Sequence, residues 1–129
     1  MNAKKPIESL SESMLNVRAP DDFSYALRNF LDRFRRNPSI VPLQDEPESL
    51  TPLLNDDGLA DAYLASTAAL LCQENDLPCP SWVDEKSRIM KTPWFAAKSP
   101  NLKAILLQES PAAFRVRNLF VSANALSRA

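Results

Sequence analysis

The sequence predicts an all-α fold, a single compact domain of five to seven short helices packed around one central apolar helix. Three observations carry this reading. The chain holds one glycine in 129 residues, whereas hairpin turns favour glycine because their backbones need positive φ. The one Asp-Gly pair, Asp57-Gly58, lacks the alternating apolar flanks of a hairpin. Eighteen leucines and sixteen alanines supply strong helix formers. Eleven prolines provide the punctuation, since proline breaks a helix interior but fits its first turn. The length suits one domain over residues 1–129, and 24% charged with 45% hydrophobic residues is an ordinary globular balance.

The first helix is predicted from Pro6 to about Val17, where Ile7, Leu10, Met14 and Val17 recur at helical spacing. As a serine-rich terminal stretch of modest hydrophobicity, residues 1–20 are equally compatible with staying mobile until a surface covers them. The second helix starts at a cap supplied by Asp21 or Asp22. It carries Phe23, Leu27, Phe30, Leu31 and Phe34 on one face and closes with Arg33, Arg35 and Arg36 against its negative end, before Asn37-Pro38. Residues 37–47, with Pro38, Pro42 and Pro47, read as loop, and Glu48 to Leu54 as a turn or two of helix around Pro52.

Asp57 is the expected cap of the central helix, Leu59 to Cys72, which has no charge between Asp61 and Glu74 and would need cover on most sides. After a proline-rich loop, Ser81-Trp82-Val83-Asp84 has the form of a capping box for a helix reaching about Lys91. Ser99-Pro100 opens a helix with Leu102, Ile105 and Leu106 on one face. Ser110-Pro111 opens another through Ala113, Phe114 and Val116. Leu119-Phe120-Val121 is either extended or a joint between helices, and Ser122 can cap a last turn reaching Arg128.

The chemistry is narrowed by what is missing. With no histidine, Ser-His-Asp and Cys-His nucleophile designs are excluded, and one glycine cannot build a phosphate-cradling loop. No metal or organic cofactor is expected. Cys72 and Cys79 are too few for a disulfide scaffold and wrongly spaced for a zinc CxxC pair. Cys72 reads as core and Cys79 as loop. No stretch has signal-peptide form or approaches the ~20 apolar residues needed to cross a bilayer, so the cytoplasm is the default compartment.

Net charge is −1, but residues 1–65 carry seven basic and eleven acidic side chains against eight and three in residues 81–129. The C-terminal part can therefore present a basic face to an acidic partner. A pI near 5.4 argues against a dedicated nucleic-acid binder, although basic residues interleaved with Trp82, Trp94 and Phe95 keep an accessory role in play. The acidic pairs Asp21-Asp22, Asp45-Glu46, Asp56-Asp57 and Asp84-Glu85 do not converge by helical geometry, and several read as caps.

In the C-terminal third, Pro78, Pro80 and Trp82 precede Pro93-Trp94-Phe95 and the run Glu109-Ser110-Pro111-Ala112-Ala113-Phe114-Arg115-Val116-Arg117-Asn118-Leu119-Phe120. This order resembles an uncharacterised module that follows helix-turn-helix domains in bacterial regulators, some of them antitoxin-like, and the likeness covers residues 60–129. It implies Trp82, Pro93, Trp94, Phe95 and Phe114 as structural anchors and a protein partner, such as a toxin from a neighbouring gene. Residues 1–55 show no compact helix-turn-helix.

Arg88, Lys103, Arg115 and Arg117 are the candidate partner-binding residues, with Arg115 and Arg117 equally able to pair with Glu109 or an acid from the N-terminal half. The functional expectation is a non-enzymatic interaction or regulatory protein, with self-association open. The alternatives are a nucleic-acid accessory protein and a small enzyme gathering Asp56, Asp57 or Glu74 with Arg115 or Arg117.

Overall fold

The structure, a computed structural model, describes residues 8–126. It is all-α in character, with seven α-helices and a two-residue pair of parallel strands among the described residues. In order these are α1 (Leu10–Ser13), α2 (Pro20–Arg36), α3 (Val41–Gln44), α4 (Thr51–Leu54), α5 (Leu59–Glu74), 3-10 turns at Ser81–Asp84 and Lys86–Arg88, β1 (Trp94–Phe95), α6 (Pro100–Glu109), α7 (Ala112–Arg115) and β2 (Leu119–Phe120). No helix among the described residues is long and apolar enough to cross a membrane.

The core is one cluster running from Leu10 to Leu126. At its centre, α5 buries Ala60, Ala62, Leu64, Ala65, Ala68, Leu71 and Cys72 together with Asp61, Ser66 and Thr67. These are residues from every side of the helix, so cover is needed all round rather than along one stripe. The small side chains let neighbours close in. Ser66 and Thr67 can be buried because their hydroxyls donate to the carbonyls of Ala62 (2.9 Å) and Tyr63 (2.8 Å) four residues back. α4, α7 and both 3-10 turns pack directly on α5.

Several local expectations are corrected. α1 starts at Leu10 on a reciprocal Ser9–Glu12 capping box, both bonds 3.0 Å. Leu10, Met14 and Val17 are buried in the common core, while Pro6 and Ile7 lie outside the described residues. At the start of α2, Asp22 reaches back to the amides of Arg18 and Ala19 (3.0 and 3.1 Å), so it acts from inside the helix with Ala19 as the capping residue. The expected loop after α2 holds α3, which buries Pro42 and Leu43 and carries Pro42 in its first turn, where the missing N–H is harmless.

α5 is capped by Asp56 and not Asp57: its Oδ1 and Oδ2 accept the amides of Gly58 (3.0 Å) and Ala60 (2.9 Å). Asp57 instead takes a left-handed conformation (φ 59°), as do Asn55 (49°) and Gly58 (89°), which turns the chain sharply from α4 into α5. The helix expected from Ser81 to Lys91 is two 3-10 turns. No side-chain cap forms at its start, and the Val83 carbonyl, which a continuing α-helix would use, is taken by Arg117.

Ser110 is likewise no cap for α7, where Pro111 holds the capping position. Its hydroxyl donates to the Leu106 carbonyl (2.5 Å) and accepts the Val121 amide (2.9 Å), fastening the end of α6 to the chain just after β2. The run Leu119-Phe120 is extended, pairing in parallel with Trp94-Phe95. Ser122 opens a turn over residues 123–126, and Arg128 lies outside the described residues.

Candidate functional site

The expected basic face divides into arginines spent inside the fold and cations left outside. Arg88 is only 3% exposed. Its guanidinium donates to Glu46 Oε2 from Nε (3.2 Å) and Nη2 (3.1 Å), to the Pro47 carbonyl (2.6 Å) and to the Asp61 carbonyl (3.0 Å). It also lies over the Trp82 ring at 4.8 Å, a cation–π contact. Glu46 is hydrogen-bonded to Glu85 as well, which holds the Glu85 carboxyl above its usual pKa.

Arg117 is 5% exposed. It donates to Val83 O from Nε (3.1 Å) and Nη2 (2.8 Å) and to Ala113 O from Nη1 (2.6 Å), with Asp84 at 3.5 Å. Burial lowers its pKa, and Asp84 opposes the shift. Neither arginine can serve as the surface contact expected of it, because its donors already satisfy carbonyls that water cannot reach. Among the described residues neither Glu109 nor an acid of the N-terminal half pairs with Arg117; the acid from the N-terminal half that meets a buried arginine, Glu46, goes to Arg88.

The expected anchors lie at different depths. Trp82 is buried, with its indole N–H donating to Leu43 O (2.9 Å), and Phe114 is fully buried against Tyr63, ring centroids 5.1 Å apart at 74°. Trp94 and Phe95 are half-buried and Pro93 is exposed. Phe95 stacks on Phe120 (4.8 Å, 19°) and carries the Lys103 ammonium over its ring at 5.4 Å.

What remains at the surface centres on α6. Ser99 caps it through the Leu102 amide (3.2 Å), with Pro100 in the first turn. Of the three residues expected on its inner face only Leu106 is buried, whereas Leu102 and Ile105 are 51% and 48% exposed, as is Leu107 at 49%. Sequence reasoning missed this outward set, although the run Ile105-Leu106-Leu107 carried the signal: neighbours on a helix stand about 100° apart and cannot all face inward. Val116 adds a further exposed apolar side chain.

The cations here are Lys98 and Arg115, both exposed, and half-buried Lys103. Arg115 donates to Ser110 O (2.7 Å) and lies 3.5 Å from Gln108 O, which seats it at the C-terminal end of α6. The nearby acid Glu109 accepts the Ala123 amide (3.2 Å). Exposed aliphatic side chains therefore flank the buried Leu106 on α6, Leu102 and Ile105 neighbouring each other on one side and Leu107 on the other, with the cations on the same helix and at its two ends.

The constellation required for a carboxylate–arginine enzyme is not assembled. Asp56 caps α5, and no hydrogen bond or ion pair joins Asp56, Asp57 or Glu74 to Arg115 or Arg117 among the described residues. The same residues include no group of three or more His, Cys, Asp or Glu placed to hold a metal ion. Comparison with protein-family models, with curated proteins and with solved structures finds no match to this chain.

Proposed function

We propose that this protein is a non-enzymatic interaction module, regulatory or antitoxin-like, whose α6 surface binds an acidic protein partner. The observation that supports this is the outward placement of Leu102, Ile105 and Leu107 on one capped, well-anchored helix. Apolar side chains that a helix withholds from its own core contribute to binding when a partner removes them from water, at roughly 25 cal/mol per Å². Lys98, Lys103 and Arg115 around them favour a partner of opposite charge, steering encounter and setting register. The resemblance in residues 60–129 points to the same class of partner, a toxin encoded beside its antitoxin.

Co-expression with the product of the neighbouring gene tests the reading. The two chains should co-purify, and the double variant Leu102→Glu/Ile105→Glu should abolish the complex while circular dichroism stays unchanged. Absence of a complex, or a complex indifferent to both substitutions, overturns it.

A further inference from the structure

Away from α6, the N-terminal half of α2 and the first turns of α5 diverge to leave a cleft of about 780 Å³. None of its lining residues lies on α6. Its volume falls within the roughly 300–1,000 Å³ typical of sites that take small organic molecules. Four aromatic residues line it: Phe23 and the exposed Tyr25 on α2, Tyr63 on α5 and Trp94 on β1, so that rings from three separate parts of the chain meet there. Tyr63 is fixed between two edge-on neighbours, Phe23 at 6.2 Å and Phe114 at 5.1 Å. Such a set offers faces and edges to a planar ring.

The polar groups of the cleft are few and unequal. Asp56 lines it, but both its oxygens accept amides of the α5 N-terminus, so its charge is already answered by the helix end. Arg28 also lines it, exposed, and makes no ion pair or hydrogen bond with any described residue. The Tyr63 hydroxyl and the Trp94 indole N–H have no protein hydrogen-bond partner among the described residues either, while Asn29 adds an amide at the rim. Burial raises the Tyr63 pKa, which keeps that hydroxyl a donor through neutral and moderately alkaline pH. Beside the Asp56 carboxylate, which is held by the helix end, the one charged lining group without a protein partner among the described residues is Arg28, and the free side-chain groups of Arg28, Tyr63 and Trp94 can all donate.

We propose that this cleft is a binding site for a small aromatic carboxylate, its ring held among Phe23, Tyr63 and Trp94 and its anionic group by Arg28. The site is separate from the α6 surface and does not depend on the partner proposed there.

Calorimetric titration with 2-naphthoate, 2-naphthalenemethanol and 2-naphthylmethylamine tests it on the full chain. The carboxylate should bind about ten-fold more tightly than the alcohol, the ratio expected of one charge-assisted hydrogen bond, and the amine most weakly. Arg28→Gln, a change at an exposed position, should bring the carboxylate-to-alcohol ratio close to one. No binding of any probe at millimolar concentration, a preference for the amine, or a ratio unmoved by Arg28→Gln overturns the proposal.

Discussion

Arg117 holds the Val83 carbonyl with two of its nitrogens, Nε at 3.1 Å and Nη2 at 2.8 Å, across 34 positions of sequence. The same guanidinium reaches Ala113 O at 2.6 Å, so one side chain clamps the first 3-10 turn to α7. Around it the neighbouring residues complete a scaffold. The Arg117 carbonyl accepts the Met90 amide (3.1 Å), and Asn118, in a left-handed conformation (φ 63°), donates its side-chain amide to Met90 O (2.8 Å).

Removal of this clamp should be costly. Arg117→Ala leaves two buried carbonyls without a donor and should lower stability by about 3 kcal/mol. Arg117→Lys, with one compact ammonium in place of a fork, should recover only part of that. The urea midpoint of each variant measures it, and an unchanged midpoint for the alanine variant would count against the clamp.

A second polar anchor sits on the other side of α5. The buried Asp61 carboxylate accepts the Leu50 amide (2.7 Å) and the hydroxyls of Ser49 (2.6 Å) and Thr51 (2.9 Å). Asp61→Ala strands all three donors and is expected to cost about 3–4 kcal/mol, against about 1 kcal/mol for Asp61→Asn, whose amide can still accept one donor and reorient toward hydroxyls. Thermal melts of the two variants should separate clearly; equal melting points would mean that the network carries little.

The two cysteines should behave as opposites. Cys72 is buried and Cys79 exposed. Burial first, then the neighbouring Cys79, pushes the Cys72 thiol from 9.0 up to about 12. At pH 8 one equivalent of Ellman's reagent should react quickly with Cys79, and Cys72 only after denaturation. Because the native thiol resists ionisation, its contribution to stability is complete below about pH 9 and is lost as pH rises from there towards 12. Equal reactivity of both thiols in the native protein would contradict the burial.

On α6 the inner and outer leucines should separate by stability alone. Leu106→Ala opens a space under the helix and should cost about 2–3 kcal/mol, while Leu102→Ala should stay within about 0.5 kcal/mol. A large loss from Leu102→Ala would place that side chain in the core.

The elements written as long periodic runs were legible in the sequence. α2 and α5 follow from apolar spacing, and α6 from the Ser99-Pro100 start, because in each case burial of a face and local capping agree. Where a residue is held by a distant partner, local pattern misleads. Ser81-Trp82-Val83-Asp84 satisfies the rule for a cap, yet the Trp82 indole and the Val83 carbonyl are engaged by Leu43 and Arg117. Arg88 and Arg117 look in one dimension like any surface cation, since nothing local distinguishes donors turned to buried carbonyls from donors turned to water. Asp61 was closer to being readable, standing alone at the edge of an uncharged alanine-rich stretch. The cleft at Arg28 was not, since it arises only from the divergence of two helices and the return of Trp94 and Leu126 beside them.

The pairing of Arg88 with Glu46 and Pro47, and of Trp82 with Leu43, bears on how this architecture can be transplanted. A fragment cut at residue 60 would carry away an indole whose acceptor stays behind and a cation that keeps only the Asp61 carbonyl and loses Glu46 and Pro47, so the C-terminal half is not a portable cassette. Recombination or fusion that preserves the junction between residues 43–47 and 82–88 keeps the unit intact; a swap placed between them separates a lock from its key.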